Sequence, residues 1–98
     1  MNDIYDVILE TSIGKKYGKM DVSVKDKSIK GILHILKGEE PFEGVIDSGG
    51  HCSISGNLST LMQRIPYTAT GTIGEHIELE LTSEKSVFSL WGSKAYEE

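Results

Sequence analysis

The sequence has almost no helical signal: glycine, serine and threonine interrupt nearly every window, and no stretch keeps apolar residues at i, i+3, i+4 and i+7 over three turns. It has one cysteine, Cys52, which excludes an internal disulfide, leaves packing alone to hold the fold and implies a reducing compartment. No apolar run approaches the roughly 18 residues that a membrane-spanning helix needs. The opening Met1-Asn2-Asp3-Ile4 has neither the basic segment nor the apolar stretch of an export signal, so a cytoplasmic location is expected. Positive charge is scarce: ten Lys and Arg against fifteen Asp and Glu leave a formal net charge of −5, with the lysines scattered among acids. Such a chain repels a phosphate backbone and an anionic bilayer, so nucleic acid and membrane are not expected partners.

What is present is alternation. In Cys52-Ser53-Ile54-Ser55-Gly56-Asn57-Leu58, apolar or small residues alternate with polar ones, the pattern of a half-buried antiparallel strand. Tyr67-Thr68-Ala69-Thr70-Gly71-Thr72-Ile73 and Ile77-Glu78-Leu79-Glu80-Leu81 repeat it. The breaks divide the chain into eight strands, at about residues 4–11, 17–24, 28–36, 41–47, 51–59, 65–73, 76–82 and 86–94. The connections, such as Lys37-Gly38-Glu39-Glu40 and Asp47-Ser48-Gly49-Gly50, are of hairpin length and rich in residues that tolerate positive φ. Parallel pairing needs much longer crossovers, so the strands form an antiparallel meander.

At 98 residues the chain forms a single domain, residues 1–98, with one core. An open meander of eight strands leaves two bare edges and an uncovered apolar face, and closure removes both. The expected fold is therefore all-β, an eight-stranded antiparallel up-and-down barrel, with a β-sandwich as the competing architecture. Gly31, Gly44, Gly56, Gly71 and Gly92 lie in five different strands in phase with the apolar residues, where a small coiled barrel needs its strands to bend.

Stacking the hairpins shows a weak repeat: Thr11-Ser12-Ile13-Gly14, Thr60-Leu61-Met62-Gln63 and Thr82-Ser83-Glu84-Lys85 each end one strand and precede another that closes on a glycine. In this the chain resembles small bacterial β-barrel proteins that carry Thr-Pro-Met-Gly-like tetrapeptides at their hairpins, although here only Gly14 keeps the glycine and all three copies lack the proline. The architecture is similar to avidin-like and calycin barrels, and that likeness implies a small apolar or aromatic ligand held inside the barrel.

With the glycine-bearing parity inward, the interior receives Tyr5, Val7, Leu9, Met20, Val22, Val24, Ile29, Leu33, Ile35, Phe42, Ile46, Cys52, Ile54, Leu58, Ile65, Tyr67, Ala69, Ile73, Ile77, Leu79, Leu81, Phe88 and Leu90. That set has no carboxylate, histidine or lysine, so no catalytic residue, metal ligand or cofactor is assigned and the chain is not expected to be an enzyme. His51 and Cys52 are adjacent in a strand, so their side chains diverge and do not make a reactive pair. His34 and His76 stand alone. The acidic group Glu39, Glu40 and Glu43 reads as a solvated turn. If the barrel is hollow, Tyr5, Phe42, Tyr67 and Phe88 are the candidate ligand-binding residues, with the tyrosine hydroxyls to orient a ligand.

The opposite parity is mostly polar, with Ile4, Ile8, Val87 and Trp91 as exceptions on the first and last strands, which become neighbours on closure. Those four residues are the candidate interface, forming a seam for a homodimer or another docking partner. Ile32, Leu36 and Val45 form a second outward apolar set. Two further function classes follow from the pattern: an accessory protein that acts through the seam, and an enzyme whose groups Tyr17, His51, Arg64 and His76 converge at the rim.

Overall fold

The computed structural model describes residues 2–12, 14–35, 38–59 and 62–95. Its strands are β1 (Asn2–Thr11), β2 (Gly14–Lys25), β3 (Ser28–Ile35), β4 (Gly38–Ile46), β5 (His51–Ser59), β6 (Arg64–Ile73), β7 (His76–Ser83) and β8 (Val87–Lys94). They close into one barrel in sequence order, each antiparallel to its neighbours, with β8 returning to β1 through pairs from Tyr5 with Lys94 to Glu10 with Ser89. Every backbone ladder is thereby paired on both sides, so the barrel has no open edge. One end carries the β1–β2, β3–β4, β5–β6 and β7–β8 connections and is called the four-hairpin end. The other is the three-hairpin end.

Two breaks are shorter than the sequence suggests. Lys15 and Lys16 belong to β2, opposite Glu10 and Leu9, and Glu39 and Glu40 belong to β4, opposite His34 and Leu33. Glu10 facing Lys15 and His34 facing Glu39 are favourable cross-strand pairs, so charged residues that look like turn material extend the ladders. Leu36 of the second apolar set, together with Ile13, Thr60 and Leu61 of the repeat, lies outside the described residues.

Alternation assigns the interior correctly. The expected core side chains are buried, and Val24, Ile65 and Phe88 are half-buried and packed against them. Tyr5, Leu9, Ala69 and Ile77 have no surface accessible to solvent, either from outside or from an internal void. The Cα envelope measures 35 × 31 × 18 Å. Its short dimension accommodates two backbone layers at the usual ~10 Å spacing with side chains interdigitated between them, so the barrel is a packed core around its waist.

The inward glycines make this closure possible. A Cβ on Gly31, Gly44 or Gly92 would lie 1.8–2.0 Å from the carbonyl oxygen of Asp21, Ser53 or Asp6 on the adjacent strand. Only a residue without a side chain lets strands approach that closely and coil. Gly18, in phase with Met20 and Val22, makes the same approach to the His34 carbonyl. The glycines also leave space for rings. The row Gly31–Phe42–Gly56–Tyr67 alternates absent and large side chains across β3 to β6. A Cβ on Gly31 would meet Phe42 Cζ at 2.8 Å, and one on Gly56 would meet the Tyr67 hydroxyl at 2.9 Å.

Gly92→Ala should therefore destabilise the protein by about 2–3 kcal/mol, lowering the thermal midpoint by roughly 8–20 °C for a domain of this size. Gly74→Ala, where a Cβ meets nothing within 4 Å, should change it little. Thermal denaturation followed by circular dichroism checks both, and equal effects would remove the close approach as the cause.

Candidate functional site

The four candidate ligand residues lie at different levels of the barrel. Tyr5 belongs to the three-hairpin half, where its hydroxyl donates to the Gly74 carbonyl at 2.6 Å. Phe42 and Tyr67 flank Gly56 on the inner surface toward the four-hairpin end. Phe88 lies further out at that end, where it lines a depression of about 300 Å³ with Arg64, Ile65, Ser83 and Lys85. Three of the four therefore gather at one end, and Tyr5 is committed elsewhere.

At the same end is a residue that composition assigned to a turn. Glu40 shares the inward parity of Phe42, Gly44 and Ile46, and its carboxylate is buried. Ser59 Oγ donates to Oε1 at 2.8 Å, while Oε2 has no hydrogen-bond partner and lies 4.0 Å from Arg64 Nη2. The expected solvated cluster of Glu39, Glu40 and Glu43 is thus divided by the pleat, with Glu39 and Glu43 exposed and Glu40 inside. Counting parity backwards from Phe42 was the available signal. The Glu-Glu pair beside Gly38 obscured it, because that composition looks like a turn.

Burial pushes the Tyr67 phenol up to about 12, and the Glu40 charge adds to the shift. Asp47 is held below its usual range, chiefly because its carboxylate accepts the His51 backbone N–H, at 3.0 Å, with a second bond from Gly49 N–H at 2.8 Å. Cys52, next to His51, points inward and is buried, and burial together with the Asp47 charge raises its thiol. His51 is exposed on the other side of the strand, so the thiol has no imidazole beside it.

The rim set does not converge. Arg64 begins β6 at the four-hairpin end, whereas His51 and His76 begin β5 and β7 at the three-hairpin end, and Tyr17 lies on the outer face of β2. Among the described residues no group of three His, Cys, Asp or Glu side chains is placed to hold a metal ion, and no helix is long and apolar enough to cross a membrane.

The outer face brings together part of the seam. Ile8 stands opposite Tyr17 on β2 and opposite Trp91 on β8, and Trp91 stands opposite Glu78 on β7. The resulting row Tyr17–Ile8–Trp91–Glu78 lines a groove of about 800 Å³ whose floor is the backbone at Gly18 and Gly92. Lys15 Nζ lies over the Trp91 ring, 5.8 Å from its centroid, within cation–π range. Ile4 and Val87 do not join this row. Each is four residues along its strand from Ile8 or Trp91, roughly 13 Å away and in opposite directions. Ile4 instead lines a smaller apolar groove with Ile32, across Asp21, and Val87 is exposed opposite Thr82. The contiguous patch expected from the sequence is therefore divided, because antiparallel pairing runs β8 in the reverse sense and sends its ends apart.

Comparison with protein-family models, characterised proteins and solved structures gives no match.

Titration of the phenols at 295 nm tests the buried end. Tyr67 has a folded pKa raised above its ordinary value near 10, so the native state holds that proton more tightly than the unfolded chain. Stability should be unaffected by this group below pH 10 and fall between about pH 10 and 12, by on the order of 2–3 kcal/mol in total. Tyr67→Phe should abolish that loss. In Glu40→Gln the Tyr67 step should move down yet stay above 10, because burial is the larger cause. A Tyr67 that ionises near 10 in the folded wild type would contradict the geometry.

Proposed function

We propose that this protein is a non-catalytic docking module whose working surface is the Tyr17–Ile8–Trp91 groove across β2, β1, β8 and β7. The observation that carries this reading is the register. It aligns an indole, a phenol and an aliphatic side chain in one cross-strand row on the outside of a barrel whose waist is filled. Tryptophan and tyrosine dominate the energetics of protein interfaces because they offer large rigid surfaces with a polar tip. The glycines beside the row leave the backbone floor low enough for a partner side chain to enter. Among the described residues no buried acid–base pair stands against this groove, and the polar groups around it are exposed carboxylates, lysines and a histidine suited to an interface rim.

A photo-crosslinking residue placed at Tyr17 and activated in host cells should form a discrete adduct. The adduct should be lost in the Trp91→Ala background and absent when the same group is placed at Ser53 on the polar face. Crosslinking of equal yield from both positions, or insensitive to Trp91, would remove the groove from consideration.

A second reading is favoured by Glu40. A buried carboxylate oxygen without a hydrogen-bond partner, whose charge is felt at Tyr67 and which lies 4.0 Å from the Arg64 that lines the Phe88 depression, suits a small, mainly apolar ligand that carries a hydrogen-bond donor. Native mass spectrometry of protein purified from its host should then show a retained small mass that disappears in Glu40→Gln, and a ligand-free wild type would dispose of it.

A further inference from the structure

We infer that the occupant of the seam groove is a second copy of this chain, related by a two-fold axis that runs parallel to the strands between β1 and β8. The inference rests on the docking reading and names its partner.

The argument is one of charge placement. Three successive rows cross the four strands from β2 to β7. The upper row is Lys15–Glu10–Ser89–Glu80, the middle row is Tyr17–Ile8–Trp91–Glu78, and the lower row is Lys19–Asp6–Ser93–His76. The face is thus basic along its β2 side and acidic over most of its β7 side, and its midline is apolar at Ile8 and Trp91 with Glu10, Ser89, Asp6 and Ser93 above and below them. A face-to-face homodimer is isologous, so each residue must suit whatever the symmetry places opposite it.

The two limiting directions of an in-plane axis, along and across the strands, pair the charges differently. An axis along the strands exchanges the β2 side with the β7 side and preserves the rows. It sets Lys15 against Glu80 of the second copy, the Tyr17 hydroxyl against the second copy's Glu78 carboxylate, Ile8 against the second copy's Trp91, and, in the lower row, Lys19, already paired with Asp6, against the second copy's His76. Along the midline, Glu10 meets the second copy's Ser89, a hydroxyl donor. An axis across the strands exchanges the upper and lower rows. It sets Lys15 against the second copy's Lys19 and Glu10 against the second copy's Asp6. Like charges in direct opposition are strongly disfavoured, so the strand-parallel axis is selected.

Lys19 is held by Asp6 of its own chain, whereas Lys15, which stands opposite Glu10 on β1 and over the Trp91 ring, lies on the outer side of the face, where it can reach a carboxylate across the interface. The contact spans four strands and three rows, which is small for an interface, so the dimer should be weak and reversible.

Analytical ultracentrifugation tests this directly. Wild-type protein at about 0.5 mM should sediment largely as a dimer and dissociate on dilution, as small interfaces do. Lys15→Glu and Glu80→Lys should each weaken association by at least about tenfold, since each variant alone places like charges at both symmetry-related contacts. A one-to-one mixture of the two variants should associate again, because in the mixed dimer both contacts join opposite charges. Recovery only in the mixture is specific to the strand-parallel axis. A wild-type dimer whose two variants do not complement each other would overturn the proposed axis. A wild-type monomer at that concentration would overturn self-association, while the crosslinking at Tyr17 would still decide whether the groove docks another partner.

Discussion

Close approach between neighbouring backbones at the inward glycines is the constraint from which the rest of the structure follows. Where Gly31, Gly44 and Gly92 meet a carbonyl oxygen of the next strand, no side chain fits, and the sheet coils more tightly than an ordinary pleat allows. That coil lets eight short strands close on themselves. Closure satisfies the last ladder, between β1 and β8, and brings the two ends of the chain's order together. The glycines also set the packing inside, since the space they leave is taken by the Phe42 and Tyr67 rings of adjacent strands. A barrel built this way is narrow, and its own side chains fill it.

Filling the waist confines chemistry to the ends and the outside. The three-hairpin end is capped by polar contacts of the chain with itself: the Tyr5 hydroxyl on Gly74, Lys94 between Asp3 and Glu75, and the Asp47 carboxylate on the backbone of its own turn. Lys94 loses some hydration, but the two carboxylates beside it outweigh that loss and keep its ammonium firmly charged. Each end keeps one buried carboxylate oxygen without a hydrogen bond: Asp3 Oδ2, 3.7 Å from the Lys94 ammonium, and at the four-hairpin end Glu40 Oε2, whose other oxygen accepts from Ser59. Outside, glycines that bend the strands inward also lower the outer floor beside Ile8 and Trp91. The seam groove and the tight core thus have one origin.

Most of the architecture was legible from alternation alone, because a half-buried strand repeats every two residues and a shift of one residue would have moved its apolar set to the solvent side. The interior residues from Tyr5 to Leu90 follow that rule without exception. Legibility failed where composition and parity disagree. Glu39-Glu40 reads as a turn by composition, yet the ladder to His34 and Leu33 carries both residues into β4 and turns Glu40 inward. Gly18 is in phase with the core and belongs with the bending glycines, but it lies at the edge of the second strand as read at residues 17–24, ahead of the first apolar inward residue, Met20, and is not among the five that the sequence pattern picks out. For the outer face, parity identified Ile4, Ile8, Val87 and Trp91 as outward without indicating which of them would meet.

The sequence by itself determined that the chain is an antiparallel meander, which apolar side chains face the core and most of the glycines that bend the strands, since these depend on local periodicity and on the absence of a Cβ. Only the tertiary structure decided the registers between strands. Register places Trp91 beside Ile8, leaves Ile4 and Val87 about a dozen ångströms away on either side, and brings Glu40 to Ser59, Arg64 and Tyr67 from other strands. The physical reason is that strand periodicity specifies a direction for each side chain but not its neighbour, and neighbours across a closed sheet are set by how all eight ladders are staggered at once.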